Sequence, residues 1–439
     1  MAARRVAVVG GGLAGLAAAG ALKDGGWFVE LFERSRLLGG RATSFEIDGI
    51  EVDNGQHVFL GCCDAFIDFV DHVGMRDRLF LQERFDVVVY SRGTAGRLRA
   101  APLPAPFHLL GSFLGYSMLG WRAKVQVGRA LAAVRRERGS LKAGETFAQW
   151  LARNGQGEEA IRAFWEPFMV PALNVPLDRM SAAEAAFVIS TAFLTSAEAG
   201  SFGYAKVTLV RIMDAAAERL DAVHVSSPVF SVEPGGDGAR LRLGDGERSF
   251  DAIVCAVGPK QLQRLLPEPL TASMQLERYD ARAIVDVHVW HDCGALDFDF
   301  VAVLDSPVQW VFQKAPGYLA CSLSAADDVL RRTTAELIEL CWSELRANVT
   351  PLRAATLQRS AVTRSPEATY APPAGVARPA QRTPFATLAL AGAWTETGWP
   401  DTMESAVRSG IAASEVLCER TNAASAAPEG RDERHVFAS

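Results

Sequence analysis

Residues 6–9 form an unbroken apolar run, a glycine-rich turn cuts it off, and residues 13–22 follow with alanine and leucine at most positions. A short apolar run bounded by turn residues predicts a buried parallel strand, and the small apolar stretch predicts the helix that crosses back over it. Residues 28–32 repeat the strand pattern and stop at Glu33. From 61 to about 199 the pattern is mixed and mainly helical. It then becomes regular again, with a helix over 209–220, strands over 223–226, 229–232, 240–243 and 250–255, and Gly238 and Gly244 in the turns. Alternation over 283–290 predicts the start of a second sheet, continued by 300–304, 309–312 and 319–323, and residues 327–345 carry the period of an amphipathic helix. Residues 388–392 read as one more strand and 402–418 as a last helix. The polar, small-residue tail from 421 to 439 predicts disorder.

The first candidate chemistry lies in the turn after residue 9. Gly10 permits a tight turn, Gly12 lets the backbone approach a pyrophosphate, and Gly15 lets helix and strand pack closely. Leu13 and Ala14 open the helix, whose N-terminal N–H groups then face the phosphates. Glu33, at the end of the second strand, is placed to accept hydrogen bonds from a ribose diol, and it would repel a 2′-phosphate. The competing reading is a Gly/Ala-rich turn without a ligand, but strand, helix and acidic residue all stand at the spacing a dinucleotide requires. A secretory or twin-arginine signal is the other alternative, suggested by Arg4 and Arg5. The stretch runs on into Lys23, Asp24 and Glu33 without a cleavage site.

At 439 residues the chain predicts two interleaved domains rather than a single core. A net charge of −6 gives no electrostatic case for nucleic acid. Seven cysteines, with Cys62 and Cys63 adjacent and no CxxC pair, suit a reducing cytosol and argue against a metal site. No apolar run is long enough to span a bilayer. Residues 100–121 lack charge but contain Pro102, Pro104 and Pro106, and Arg97, Arg99, Arg122 and Lys124 flank them. Two readings remain open for this segment. It is either a membrane-docking element presenting Phe107, Leu109, Leu110, Phe113, Leu114 and Met118, or a roof over a substrate cavity. The first makes the protein cytoplasmic and peripheral to the inner membrane.

Glu33-Arg34 followed by Gly39-Gly40-Arg41 resembles the start of the flavin-dependent amine oxidase and phytoene desaturase superfamily, in which this stretch wraps FAD. The C-terminal strand and helix, with Gly392, Thr402 and Met403, are similar to the part of that fold that returns to hold the flavin. The resemblance implies an α/β architecture, a Rossmann-type FAD-binding domain interleaved with a mixed α+β substrate domain. The boundaries expected are 1–60, 205–268 and 386–420 for the first and 61–204 and 269–385 for the second. It also implies an adenine contact at Val229. Three further stretches resemble the bacterial hydroxysqualene dehydroxylases: 53–63 with Gln56 and His57, 164–174 around Trp165-Glu166-Pro167, and 392–400. That likeness spans about residues 5–417. It implies reduction of a C30 isoprenoid alcohol to squalene in hopanoid biosynthesis, with reduced FAD giving hydride and water leaving. No second GxGxxG occurs, so a separate electron donor is expected.

An allylic hydroxyl leaves once it is protonated, so a proton donor is needed near the flavin. His57 is one candidate, with Gln56 as its neighbour; the alternative is that both only hold the flavin ring. Glu166 is the other, because flanking aromatic residues would desolvate its carboxyl and keep it protonated. Its alternative is a carboxylate at a helix end. Tyr204 and Tyr370 are not singled out by the sequence. Ala393 departs from the superfamily, which usually has aspartate at this place on the flavin chain. A carotenoid or phytoene-type desaturase is the competing enzyme class, an amine oxidase a more remote one, and a non-catalytic flavoprotein or lipid-binding scaffold the alternative outside enzymes.

Overall fold

The computed structural model describes residues 3–142 and 144–426, with the backbone alone from residue 420 onward. Five strands form an all-parallel sheet in the order Ala222–His224, Phe28–Phe32, Arg5–Val9, Ala252–Cys255, Leu388–Leu390. Successive side chains on a strand point to opposite faces, so a sheet buried on both faces needs apolar runs rather than alternation. Val6, Val8, Val254 and Ala389 accordingly pack on helices Leu13–Asp24, Leu209–Ala217 and Met403–Ala426. Ala7, Val9, Ile253 and Leu390 pack on the opposite side with Val232 and Leu241 of a three-stranded antiparallel sheet, Ser231–Pro234, Ala239–Leu243 and Gly246–Phe250.

A seven-stranded sheet runs in the order Leu357–Ala371, Asp280–His291, Tyr318–Leu323, Trp310–Ala315, Phe300–Val303, Asp86–Ser91, Thr94–Arg99. One face is closed by helix Thr334–Asn348 through Leu337, Cys341 and Leu345. The other carries Phe300, Trp310 and Phe312 against the helices between residues 121 and 193. The α/β architecture expected from the sequence is the one observed.

Several boundaries differ from expectation. The helix expected from 327 starts at Thr334, because Thr333 and Glu336 form a reciprocal capping box there, and Ala326–Asp328 is a separate 3-10 turn. The Ser231–Pro234 strand begins two residues later than expected, leaving Val229 in the preceding loop. The last helix runs to Ala426, so disorder does not hold for 421–426; residues 427–439 lie outside the described residues. Leu357–Ala371 was not foreseen as a strand. Its Pro366 offers no ladder donor, which an edge strand with a bulge tolerates, and the register against Asp280–His291 does shift there.

Helix Met403–Ala426 crosses helix Leu13–Asp24 at Gly410. A β-carbon on Gly410 would stand 2.3 Å from the Ala14 carbonyl oxygen and 2.8 Å from the Ala18 nitrogen, both backbone atoms. Gly128, exposed on helix Trp121–Glu137, has nothing within 4 Å. Gly410→Ala is therefore expected to destabilise by at least about 1–3 kcal/mol through overpacking. Gly128→Ala should instead stabilise by about 0.5–1 kcal/mol through backbone entropy. Chemical denaturation of the two variants side by side checks both signs.

Candidate active site

A cavity of about 950 Å³ runs from the glycine-rich turn to the aromatic face of the seven-stranded sheet. At its first end Gly10 has φ +109°, and a β-carbon there would lie 2.5 Å from the Ala256 carbonyl oxygen. A β-carbon on Gly15 would lie 1.9 Å from the Gly10 oxygen, so this glycine sets how closely helix and turn pack. Gly12 differs from both. It lines the cavity, and the nearest protein atom to a β-carbon there is the Gly39 oxygen at 3.8 Å. The helix that follows has no side-chain cap and no acidic residue in its first turn. Its N-terminal N–H groups and positive dipole end, at Gly12, Leu13 and Ala14, are left for an anion.

Glu33 lines the same end. Its carboxylate accepts hydrogen bonds from the Gly11 and Ser35 N–H groups, both at 2.7 Å, and two bonds leave acceptor capacity for a diol. Arg34 is exposed at the rim, and Val229 lines the cavity beside Pro228 and Phe230.

In the middle of the cavity Gly40, Arg41, Gln56, His57, Gly392, Ala393, Thr402 and Met403 come together from three distant stretches of chain. Arg41 donates twice to Asp401, at 2.6 and 2.9 Å, and once to the Ala368 carbonyl at 3.2 Å. This fork ties the first nucleotide unit to the C-terminal loop. Where the superfamily has aspartate, Ala393 presents its carbonyl, which accepts from Arg378 at 3.0 Å and Ser405 at 2.9 Å. The loop is thus held without the missing carboxylate.

His57 lies with Nε2 3.1 Å from Asn54 Oδ1, and burial pushes its pKa down to about 4, against the pull of Asp53. It is a neutral hydrogen-bonding ring at physiological pH, which suits holding a cofactor better than giving a proton. Glu166 requires a correction. Partial burial and the nearby Asp305 do raise its pKa, as its aromatic neighbours suggested. Its side chain is nevertheless exposed and does not line the cavity. A π-turn over Ile161–Trp165 leads into helix Glu166–Leu173, and Phe168, which does line the cavity, stands two residues on. Two residues are about 200° of helix, so Glu166 points the other way.

Beyond this middle the wall is aromatic: Phe168, Phe187, Phe193, Phe202, Trp310 and Phe312. Phe202 stacks on Trp310 at 5.2 Å between centroids. Ser322 lines the cavity next to them, with Asp286 buried behind it. Neither was foreseen, although an aspartate in the centre of an otherwise apolar strand was a legible signal. Tyr370 also lines the cavity and donates to Glu367 at 2.8 Å, whereas Tyr204 does not reach it. No residue of 100–121 lines the cavity, so that segment is not its roof. Among the described residues no cluster of His, Cys, Asp and Glu is arranged to hold a metal.

The sequence profile described as flavin containing amine oxidoreductase matches residues 13–418, and the chain belongs to this family. The hydroxysqualene dehydroxylase of Rhodopseudomonas palustris is 26% identical, over 94% of this chain and 98% of that protein. The chloroplastic/chromoplastic zeta-carotene desaturase of Arabidopsis thaliana is 25% identical over 94% of this chain and 85% of its own length. Among solved structures, putrescine oxidase bound to putrescine superposes with a TM-score of 0.73 at 19% identity, covering 95% of this chain and 99% of the other. Cyclohexylamine oxidase from Brevibacterium oxydans superposes with 0.71 at 18%, covering 96% and 100%. The protein is a flavin-dependent oxidoreductase and its cofactor is FAD. The open approach at Gly12, the uncapped helix and Glu33 fit the dinucleotide's phosphates and ribose.

Gly12→Val has room to fold but places a side chain at that approach. It is expected to weaken FAD at least about 100-fold, some 2.7 kcal/mol, with the melting temperature of the flavin-free protein unchanged. Glu33→Ala should bind FAD better than Gly12→Val does. It should also destabilise the flavin-free protein by about 1–3 kcal/mol, because the buried Gly11 N–H it satisfies is orphaned. Flavin titration and thermal melting of the two variants separate these effects.

Proposed function

We propose that this chain reduces hydroxysqualene to squalene at a membrane surface. One observation carries the reading: a small polar group, Gln56, His57 and Ser322, lines the cavity that also carries the long aromatic wall. A C30 hydrocarbon needs such a wall, and the polar group fits the single hydroxyl such a substrate carries. In the reaction the C–O bond breaks as the hydroxyl takes a proton and leaves as water. When bound and reduced, FAD supplies the hydride that completes the new C–H bond. The aromatic rings of the wall stabilise the positive charge that develops on carbon. Water is kept out by the same apolar wall.

The carboxylates lining the cavity speak against an amine substrate, because each is already engaged. Glu33 holds the Gly11 and Ser35 N–H groups, Glu367 takes Lys260 and Tyr370, Asp401 takes Arg41, and Glu404 takes Arg408 and the Phe66 N–H. A carotene desaturase is the second reading, favoured by the likeness to the zeta-carotene desaturases. The chain carries a single glycine-rich nucleotide turn, and the reading therefore includes a separate electron donor.

The membrane part rests on residues 103–125, where Leu103, Phe107, Leu110, Leu114, Trp121 and Val125 are all large, apolar and exposed. Leu109, Phe113 and Met118, expected on the same face, pack inward and anchor the element instead. Isolated exposed apolar residues are ordinary, but a cluster of this kind marks an interaction surface. No helix among the described residues is long and apolar enough to cross a membrane. The basic flanks keep most of their charge: Arg97 and Arg99 share the single carboxylate of Asp86, Lys124 donates to the neutral Leu114 carbonyl, and Arg122 lies over the Trp121 ring.

Anaerobic protein reduced by dithionite is expected to be reoxidised by hydroxysqualene, with squalene formed in equal amount. Reoxidation by neither hydroxysqualene nor a polyene removes both readings. Docking through apolar contact beside basic flanks predicts sedimentation with neutral liposomes that anionic lipid strengthens and salt brings back toward the neutral level. Replacing Phe107, Leu114 and Trp121 together by serine should release the protein, and unchanged sedimentation would discard this surface.

A further inference from the structure

Asp286 sits in the centre of the Asp280–His291 strand and is completely buried. The ladder places Ser322 beside it on one side and Thr363 on the other, and Ser322 in turn faces Trp310. Trp310, Ser322, Asp286 and Thr363 thus make one rung across four neighbouring strands, and cross-strand partners share a face. Trp310 and Ser322 line the cavity. Asp286 is the next group inward from the wall.

The Gly55-Gln56 turn lies over the carboxyl. The Gln56 N–H donates to Asp286 Oδ1 at 3.2 Å, and a β-carbon on Gly55 would stand 3.0 Å from Oδ2. Oδ2 has no hydrogen-bond partner, and neither do Thr363 Oγ1 beside it nor His288 Nε2 two residues along the same face. A buried, ionised carboxylate would not leave an oxygen in this state without a large desolvation penalty. The cation nearest in charge is not directed at it: Lys314 lies 3.6 Å from Asp53 Oδ2. Burial accordingly pushes the Asp286 pKa up to about 7. The Gln56 N–H and the Ser322 hydroxyl pull it back, Asp53 adds to the rise and Lys314 opposes it. The other titratable groups around it are His288, held neutral with Nδ1 2.8 Å from the Tyr318 hydroxyl, that phenol itself, the thiols of Cys321 and Cys341, and His57, whose Nε2 would stand 3.9 Å from the same Gly55 β-carbon.

We propose that Asp286 is the proton store of the cavity and that Ser322 passes its proton to the hydroxyl of the bound alcohol. This rests on the dehydroxylase reading. The Ser322 O–H proton goes to the substrate oxygen while the Asp286 proton replaces it on Ser322 Oγ. The C–O bond breaks with its electron pair remaining on oxygen and water leaves; FAD, when bound and reduced, would supply the hydride that the carbon needs. Asp286 is left as a carboxylate and takes a proton from solvent before the next turnover. The placement answers what His57 and Glu166 leave open, since the first is neutral with little proton affinity and the second faces away. Asp286 is a positioning residue for the proton, and Ser322 is the group that touches substrate.

Infrared spectroscopy of the holoprotein across neutral pH tests the store without turnover. A protonated-carboxyl band that titrates near neutrality should be present in the parent and in Ser322→Ala and lost in Asp286→Asn, with FAD retained in all three. A band that survives Asp286→Asn, or no such band in the parent, overturns the store. Transfer is tested by anaerobic reoxidation of the reduced flavin with hydroxysqualene. Ser322→Ala and Asp286→Asn should each slow it by roughly 10²-fold or more. The parent rate should fall as pH rises through the Asp286 titration, and Asp286→Asn should lose that dependence. Parental rates in either variant overturn the transfer. A parent that does not react with hydroxysqualene at all overturns the substrate reading and the transfer together, and the infrared band then decides the store alone.

Discussion

The close crossing of the first and last helices is the constraint on which the other features depend. At Gly410 the backbone of the C-terminal helix lies against the Ala14 and Ala18 backbone of the N-terminal one, at a distance no side chain allows. That contact brings Gly392, Thr402 and Met403 to the cavity that Gly12 and Leu13 begin. It also places Glu404, fully buried, where it receives the N–H groups of Ala65 and Phe66 at the start of helix Asp64–His72 and the guanidinium of Arg408. A carboxylate at a helix N-terminus is favoured by the helix dipole as well as by the bonds it accepts. One packing contact therefore closes the parallel sheet, sets the entry to the middle of the chain and shapes the cofactor groove.

Charge in the cavity is arranged by the same economy. Asp401 is almost wholly buried and meets Arg41 through two bonds, so neither ion is left uncompensated, and breaking such a pair costs more than its formation contributes. The remaining lining carboxylates are likewise occupied, which makes the substrate side of the cavity effectively uncharged. An uncharged, water-poor wall suits a hydrocarbon. Burial in such surroundings also accounts for the pKa shifts of a lining group and of one behind the wall: desolvation pushes His57 down and Asp286 up.

The nucleotide-binding half was legible in the sequence because its determinants are local. A run of four apolar residues, three glycines at fixed spacing and a terminal glutamate each act on atoms a few positions away, so Gly10, Gly12, Gly15 and Glu33 stand where their spacing put them. The start of helix Thr334–Asn348 was misjudged because the Thr333 cap was overlooked. The Leu357–Ala371 strand was missed because its polar, proline-containing pattern makes sense only at a sheet edge, and an edge exists only once the sheet has formed.

By itself the sequence determined the α/β class, the dinucleotide turn and which stretches would gather at it, since short-range sterics and hydrogen-bond geometry decide all three. The tertiary structure alone decided which side of a helix faces the cavity, which is why Phe168 lines it and Glu166 does not. It decided which apolar side chains of residues 103–125 face outward and which anchor the element, because only packing tells which face of an apolar stretch is already covered. And it decided that Trp310, Ser322 and Asp286, far apart in the chain, form one rung: strand register is a long-range property, fixed when the strands pair.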